Sequence, residues 1–323
     1  MARFVQFANC NVRRIQAIID PELCPDANWN GTMPYTPTFL MTDSSHFEVS
    51  YKINPWMTPE AWRANEAQNR AHARAAQQEL AAALRQAGAR VTIMEGVPGL
   101  PDMVFPANAA IVLNGRAMVA RFRHHERQGE ERHFFSKFMR LEEEGLLQDV
   151  ARAPKGIWQE GAGDCIWDAS RQLFWAGFGP RSSFDAVAAI KDYFGAPVIP
   201  LELVSGQYYH LDTCFAPLSG GEVLYYPPAF SKMSLAAIKD RVPAEALIEA
   251  SDEDAQRFAV NAVNIGREIV MAEPSRRLAE RLAERGYNTQ ALHLRPFIMS
   301  GGGAYCMTLR LDLKSTSPDI SKG

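Results

Sequence analysis

Apolar and polar positions alternate in short stretches separated by turn residues, with a few longer helical periods between them. "AAIVLNGRAMVARF" is two apolar runs around Asn114-Gly115, a pattern that predicts a hairpin. "CIWDASRQLFWAGF" repeats it, with a turn near Ala169 to Arg171. "RVTIMEG", "PVIPLEL", "GEVLYYPPAF" and "EIVMAE" read as strands, the third ended by its double proline, and "MTLRLDL" as the last one. A long helix is predicted from about Pro59 to Ala87, with Thr58 as N-cap, Pro59 at the first helical position and Gly88 as stop. Shorter helices fall at 183–194, ended by Gly195, and at 274–285. "HLDTCF" looks extended, and strict alternation would place His210, Asp212 and Cys214 on one face. Strands alternating with helices and hairpins make the class mixed α/β.

Composition narrows the function. The 323 residues are 47% hydrophobic and 22% charged, an ordinary globular balance. A net charge of −3 offers no polycation for nucleic acid. No apolar run reaches the roughly 20 residues that span a bilayer, and the N-terminus lacks the apolar centre of a signal peptide. Five widely spaced cysteines, at 10, 24, 165, 214 and 306, fit reduced thiols in the cytoplasm rather than a disulfide framework. With no CxxC pair and no HExxH, neither a structural zinc site nor any cofactor is expected.

Five segments carry chemistry: "LPDMVFPANAA", "RFRHHERQGEE", "QEGAGDCIW", "YHLDTCF" and "SGGGAYCMTLRLD". Singly, each has a bland reading as a turn, a surface charge or a buried small residue; the His124-His125 pair reads as surface. Together they supply a thiol, a histidine base, carboxylates to orient it and to match a planar cation, and glycines that let a substrate approach backbone.

These segments, with "INPWM", "GFGPRS", "LYYPPAF" and "NAVNIGR", resemble in collinear order over residues 38 to 313 the guanidine-modifying superfamily. That superfamily includes arginine deiminase, dimethylarginine dimethylaminohydrolase, glycine amidinotransferase and bacterial arginine dihydrolase. The resemblance implies a pentein fold, a propeller of five ββαβ units, as a single domain over 1–323 with a variable entry loop at 20–46 and a tail at 314–323. It implies Cys306 as nucleophile, His210 as general acid/base, and Glu160 as the carboxylate pairing with His210 or the substrate. Asp212 would grip the guanidinium, and Arg127 and Arg181 the substrate α-carboxylate. Asn54, Asp102 and Asn108 would complete the binding set, while Asp164 would close a turn and Cys214 would only pack. Deiminases and dimethylargininases carry an acid where this chain has Asn108, as the dihydrolase branch does. The implied activity is hydrolysis of the guanidino group of arginine or a close derivative through a covalent Cys306 amidino-thioether, in the manner of an arginine dihydrolase that gives ornithine, carbon dioxide and two ammonia. The rivals are a single-step deiminase or methylarginine hydrolase, an amidinotransferase and a non-catalytic pentein. The expected partner is a small guanidino compound, with neither nucleic acid nor membrane; assembly into a homo-oligomer stays open.

Overall fold

The computed structural model describes residues 36–316. Its strands, in chain order, are β1 (Thr38–Thr42), β2 (Arg90–Met94), β3 (Ala110–Leu113), β4 (Arg116–Val119) and β5 (Asp149–Arg152). There follow β6 (Cys165–Asp168), β7 (Leu173–Phe178), β8 (Val198–Glu202), β9 (Phe215–Pro217), β10 (Val223–Tyr225) and β11 (Leu247–Glu249). The last are β12 (Val263–Ile265), β13 (Glu268–Ala272), β14 (Asn288–Leu292) and β15 (Leu309–Arg310). They form five three-stranded sheets: β15-β1-β2, β3-β4-β5, β6-β7-β8, β9-β10-β11 and β12-β13-β14. In every sheet the middle strand runs antiparallel to the first and parallel to the third.

A parallel pair needs a crossover, and a helix supplies each one. The crossovers are α1 (Glu66–Gln86), α2 (Glu130–Glu143), α3 (Ala186–Phe194), α4 (Lys232–Arg241) and α5 (Arg276–Ala283). Their apolar stripes face the sheets: Phe134, Phe138 and Leu141 on α2; Ala186, Ile190 and Phe194 on α3; Leu278 and Leu282 on α5. Each sheet with its helix is one ββαβ unit. The first unit takes its antiparallel strand from the far end of the chain, since β15 pairs with β1 through Phe39–Arg310 and Leu40–Leu309. The five units make the pentein propeller expected from the resemblance.

The predicted hairpins are present. Asn114 and Gly115 both hold positive φ (54° and 76°), the conformation that a two-residue hairpin turn requires. Four local expectations are corrected. The helix predicted from Pro59 to Ala87 is broken at Asn65, whose φ of −139° ends Pro59–Ala64 before α1 begins. Asn69 Nδ2 donates to the freed carbonyl of Trp62, a buried anchor. Thr58 makes no side-chain cap. "MTLRLDL" contributes only Leu309–Arg310 to a sheet, because Met307 and Thr308 still belong to the preceding turn. "HLDTCF" is not a strand: Leu211–Thr213 is a 3-10 turn, and extended pairing begins only at Phe215. Within the 20–46 segment, Thr38–Thr42 is a fully buried strand; residues 20–35 lie outside the described residues, as do 317–323 of the tail.

Candidate active site

The first strands of neighbouring units touch, β3 against β6 and β6 against β9, so they face the propeller axis. Just before each first strand the chain makes a tight turn. Those five turns carry Asn108 ahead of β3, Glu160 and Asp164 ahead of β6, His210 and Asp212 ahead of β9, Asn261 ahead of β12, and Cys306 ahead of β15. Residues spread over 200 positions thereby converge on one end of the axis.

The turns are stitched to one another. Ala107 N donates to Cys306 O (3.2 Å). Cys306 N donates to Asn261 Oδ1 (3.1 Å), and Asn261 Nδ2 donates to Asp212 O (3.0 Å). Leu211 N donates to Asp164 Oδ1 (3.0 Å), whose other oxygen accepts from Ser182 Oγ (2.6 Å). Asp164 therefore does hold the glycine turn and the His210 segment in place, and burial pushes its carboxyl up to about 6. Glycines make the close approach feasible: a Cβ on Gly302 would collide with the Phe105 ring.

Cys306 is buried. Its Sγ donates to Asp212 Oδ2 and accepts from Asn261 Nδ2, both at 3.1 Å. Burial and the adjacent Asp212 charge raise the thiol well above its usual range. Burial likewise lifts Asp212 to about 7. Asp212 Oδ1 is buried and has no hydrogen-bond partner among the described residues. A buried carboxylate oxygen left open is a socket for a donor.

His210 Nε2 is 2.7 Å from Glu160 Oε2, which also accepts from Arg181 Nη1 at 2.9 Å. Glu160 Oε1 accepts from Arg123 N (3.0 Å). Despite complete burial, the Arg181 guanidinium and His210 hold Glu160 far below the ordinary carboxylate range. Its two oxygens are engaged by protein, so Glu160 orients the histidine. Arg181 lies over the Tyr209 ring, 4.4 Å from its centroid, and Nη2 also donates to Ile53 O.

Arg127 is buried between charges. Nε and Nη2 form a fork with Glu130, both at 2.9 Å; Nη1 donates to Asn108 Oδ1 (2.8 Å) and Nη2 to Asp102 O (3.0 Å). That commits four of five N–H groups, leaving one for a ligand. Asp102 Oδ1 accepts from Ser300 Oγ (3.2 Å), and burial raises its carboxyl. Asn54 Nδ2 donates to Ser300 O while Oδ1 accepts from Trp56 N and Met57 N, tying the 54–57 turn to the glycine loop. Asn108 Nδ2, like Asp212 Oδ1, is buried without a partner among the described residues.

All nine residues singled out from the sequence thus lie in or directly beside this assembly. Cys214 faces away into an apolar cluster, its thiol near the His210 and Leu211 carbonyls. Two residues in these contacts escaped the sequence reading, Asn261 and Glu130. Asn261 sits in "FAVNAVN", where an amide among apolar residues was the available signal. Glu130 hides in an acidic run that resembles a solvated helix start. His124, read as surface, is half-buried, and burial and the Arg181 charge lower its imidazole. Among the described residues no cluster of His, Cys, Asp and Glu could hold a metal ion, and no helix is long and apolar enough to cross a membrane.

The comparisons with known proteins bear on the family and the fold. The chain is 41% identical over 283 residues to a bifunctional arginine dihydrolase/ornithine cyclodeaminase of Synechocystis, covering 87% of this chain but 38% of that protein. The chain therefore spans a little over a third of that relative's length. It is 34% identical over 278 residues to the N(G),N(G)-dimethylarginine dimethylaminohydrolase of Mycobacterium tuberculosis, covering 86% of this chain and 87% of that one. Among solved structures it superposes on the N-terminal domain of a cyanobacterial arginine dihydrolase, a cysteine-to-serine variant bound to substrate. That match has a TM-score of 0.79 and 38% identity, over 86% of this chain and 99% of that one. The family model for eukaryotic N,N-dimethylarginine dimethylhydrolase matches residues 47–313, and with a propeller and a Cys–His–carboxylate centre in the same chain, the protein belongs to that family.

Proposed function

We propose that this protein hydrolyses the guanidino group of arginine twice, giving ornithine, carbon dioxide and two ammonia. The observation that carries the reading is a pair of open sockets in these turns: a carboxylate oxygen, Asp212 Oδ1, on the residue that accepts from Cys306, and a neutral amide donor, Asn108 Nδ2, bordering the same space as the His210 ring. The carboxylate matches the N–H edge of a guanidinium. An amide N–H matches a carbonyl oxygen, which the substrate lacks and the first product, a urea, possesses.

The cationic guanidinium binds against Asp212 and its charge favours the Cys306 thiolate, the thiol proton passing to His210. The thiolate attacks the guanidinium carbon. His210, oriented through Nε2 by Glu160, protonates the departing ammonia, and an amidino-thioether remains. Water, deprotonated by His210, adds to that carbon and expels the thiolate, yielding citrulline. Asn108 then donates to the ureido oxygen and holds citrulline for a second attack. Ammonia leaves again, water cleaves the S-carbamoyl intermediate, and the resulting carbamate loses carbon dioxide to give ornithine. One arginine and two waters balance one ornithine, one carbon dioxide and two ammonia. Arg181, with free N–H groups, and the last N–H of Arg127 serve the α-carboxylate; Asn54 and Asp102 border the substrate tail. A thiol nucleophile with Cys165 and Cys214 also free fits a reducing cytoplasm.

The family match favours one other reading, a single hydrolysis of dimethylarginine. Products from arginine and dimethylarginine should be counted in one assay. Ornithine with two ammonia per arginine is expected. Stoichiometric citrulline with one ammonia, or turnover of dimethylarginine alone, would overturn the dihydrolase reading.

A further inference from the structure

We infer that Glu130 is a positioning residue that acts through Arg127 to fix Asn108 as a donor toward the site, and so determines whether the ureido intermediate is retained. The inference rests on the dihydrolase reading. Three observations carry it.

A guanidinium only donates, so the Asn108 atom that faces Arg127 Nη1 at 2.8 Å must be Oδ1. The amide is planar, so Nδ2 is turned the opposite way. It borders the space that a Cβ on Gly163 would fill, a space that the His210 ring also borders at 3.6 Å. Arg127 thus sets the amide's orientation, and without it Asn108 could rotate by half a turn and present oxygen to the site.

Arg127 in turn is held from two sides. Glu130 grips it through both oxygens, and the Phe122 ring lies 4.4 Å below its plane. Glu130 has no exposed surface and stands at the first position of α2, where the helix N-terminus favours an anion. Its two oxygens meet the Arg127 fork. A glutamine there would set an NH2 group against one guanidinium N–H, donor facing donor, and the fork would turn.

The test is the Glu130→Gln variant with arginine and citrulline supplied separately as substrates, wild type in parallel. The expected result is a fall in kcat/KM for citrulline at least about tenfold larger than for arginine, with free citrulline accumulating from arginine. Such a fall corresponds to losing one buried donor and leaving an acceptor in its place. Citrulline and arginine share the same α-carboxylate, so damage to a tail clamp or to general stability lowers both equally. An equal fall, or none, with ornithine still the product overturns the inference and leaves the dihydrolase reading standing. If the wild type itself makes citrulline only, it is the dihydrolase reading that has failed. Should the single variant not fold, the double variant Glu130→Gln/Arg127→Met removes both buried charges together. Its citrulline-to-arginine ratio must move the same way, and an unmoved ratio refutes the inference.

Discussion

The resting thiol makes a prediction whose sign is opposite for two reagents. Cys306 Sγ has Asp212 and Asn261 as hydrogen-bond partners and no cationic side chain among them. Burial and Asp212 hold it protonated at neutral pH. A unit cation bound on Asp212, about 4 Å from the sulfur at an effective dielectric of about 20, stabilises the thiolate by about 4 kcal/mol. That equals roughly three pKa units. A cationic haloacetamidine should therefore alkylate Cys306 about 100- to 1000-fold faster at pH 7 than the neutral haloacetamide, after dividing by their ratio on a free thiol. The advantage should shrink as pH rises and the thiol ionises unaided. Asp212→Asn separates the two effects. It removes the charge that raises the thiol, so the neutral reagent speeds up; it also removes the socket for the cation, so the amidine slows down. Mass analysis of the alkylated peptide between pH 6 and 10 reads both rates. Equal normalised rates in the wild type, or fast neutral alkylation at pH 7, would refute the substrate-assisted deprotonation.

Three further outcomes can be checked independently. Cys306→Ser should lose turnover and keep arginine binding by calorimetry, because serine offers no comparable anion, whereas Cys214→Ser, deep in an apolar cluster, should keep most activity; the reverse pattern would mean the wrong thiol. Asn108→Asp should keep an oxygen on Arg127 and turn a second oxygen toward the ureido group, so ammonia should fall from two toward one per arginine; an unchanged count would reduce Asn108 to a turn former. Arg181→Ala should raise KM about ten- to hundredfold for substrates with a free α-carboxylate, the worth of a charge-assisted hydrogen bond; since Arg181 also holds Glu160, kcat should fall too, and a decarboxylated analogue should show the kcat effect alone.

Local pattern was enough for the hairpin at Asn114-Gly115, the α3 helix with its Gly195 stop, and the strands β7 and β8 on either side of that helix. These depend on interactions within about ten residues: turn chemistry, apolar period and capping. The same reasoning failed at "HLDTCF". Alternation placed His210 and Asp212 together, which is where they lie, but for the wrong reason. A 3-10 turn, not a pleat, brings them to the site, and its shape is imposed by Asp164 gripping Leu211 N from another unit. The break at Asn65 was missed because alanine-rich helix periodicity outweighed one residue whose neighbours, Trp62 and Asn69, take over its hydrogen bonds.

The sequence by itself determined the mixed α/β class, the absence of a polycation or an apolar span, and, through its resemblance to the guanidine-modifying enzymes, nine candidate residues that the fold brings into neighbouring turns. Only the tertiary structure decided which of them touch one another. It showed that Glu160 is occupied by His210 and Arg181, that Arg127 has one N–H left, and that Asn261 and Glu130 contact Cys306 and Arg127. The physical reason is sequence distance. Each of these contacts joins turns from different units of a closed ring, or fixes a buried charge by how many of its donors are already taken. Neither quantity exists until β15 has paired with β1 and the five turns face one another.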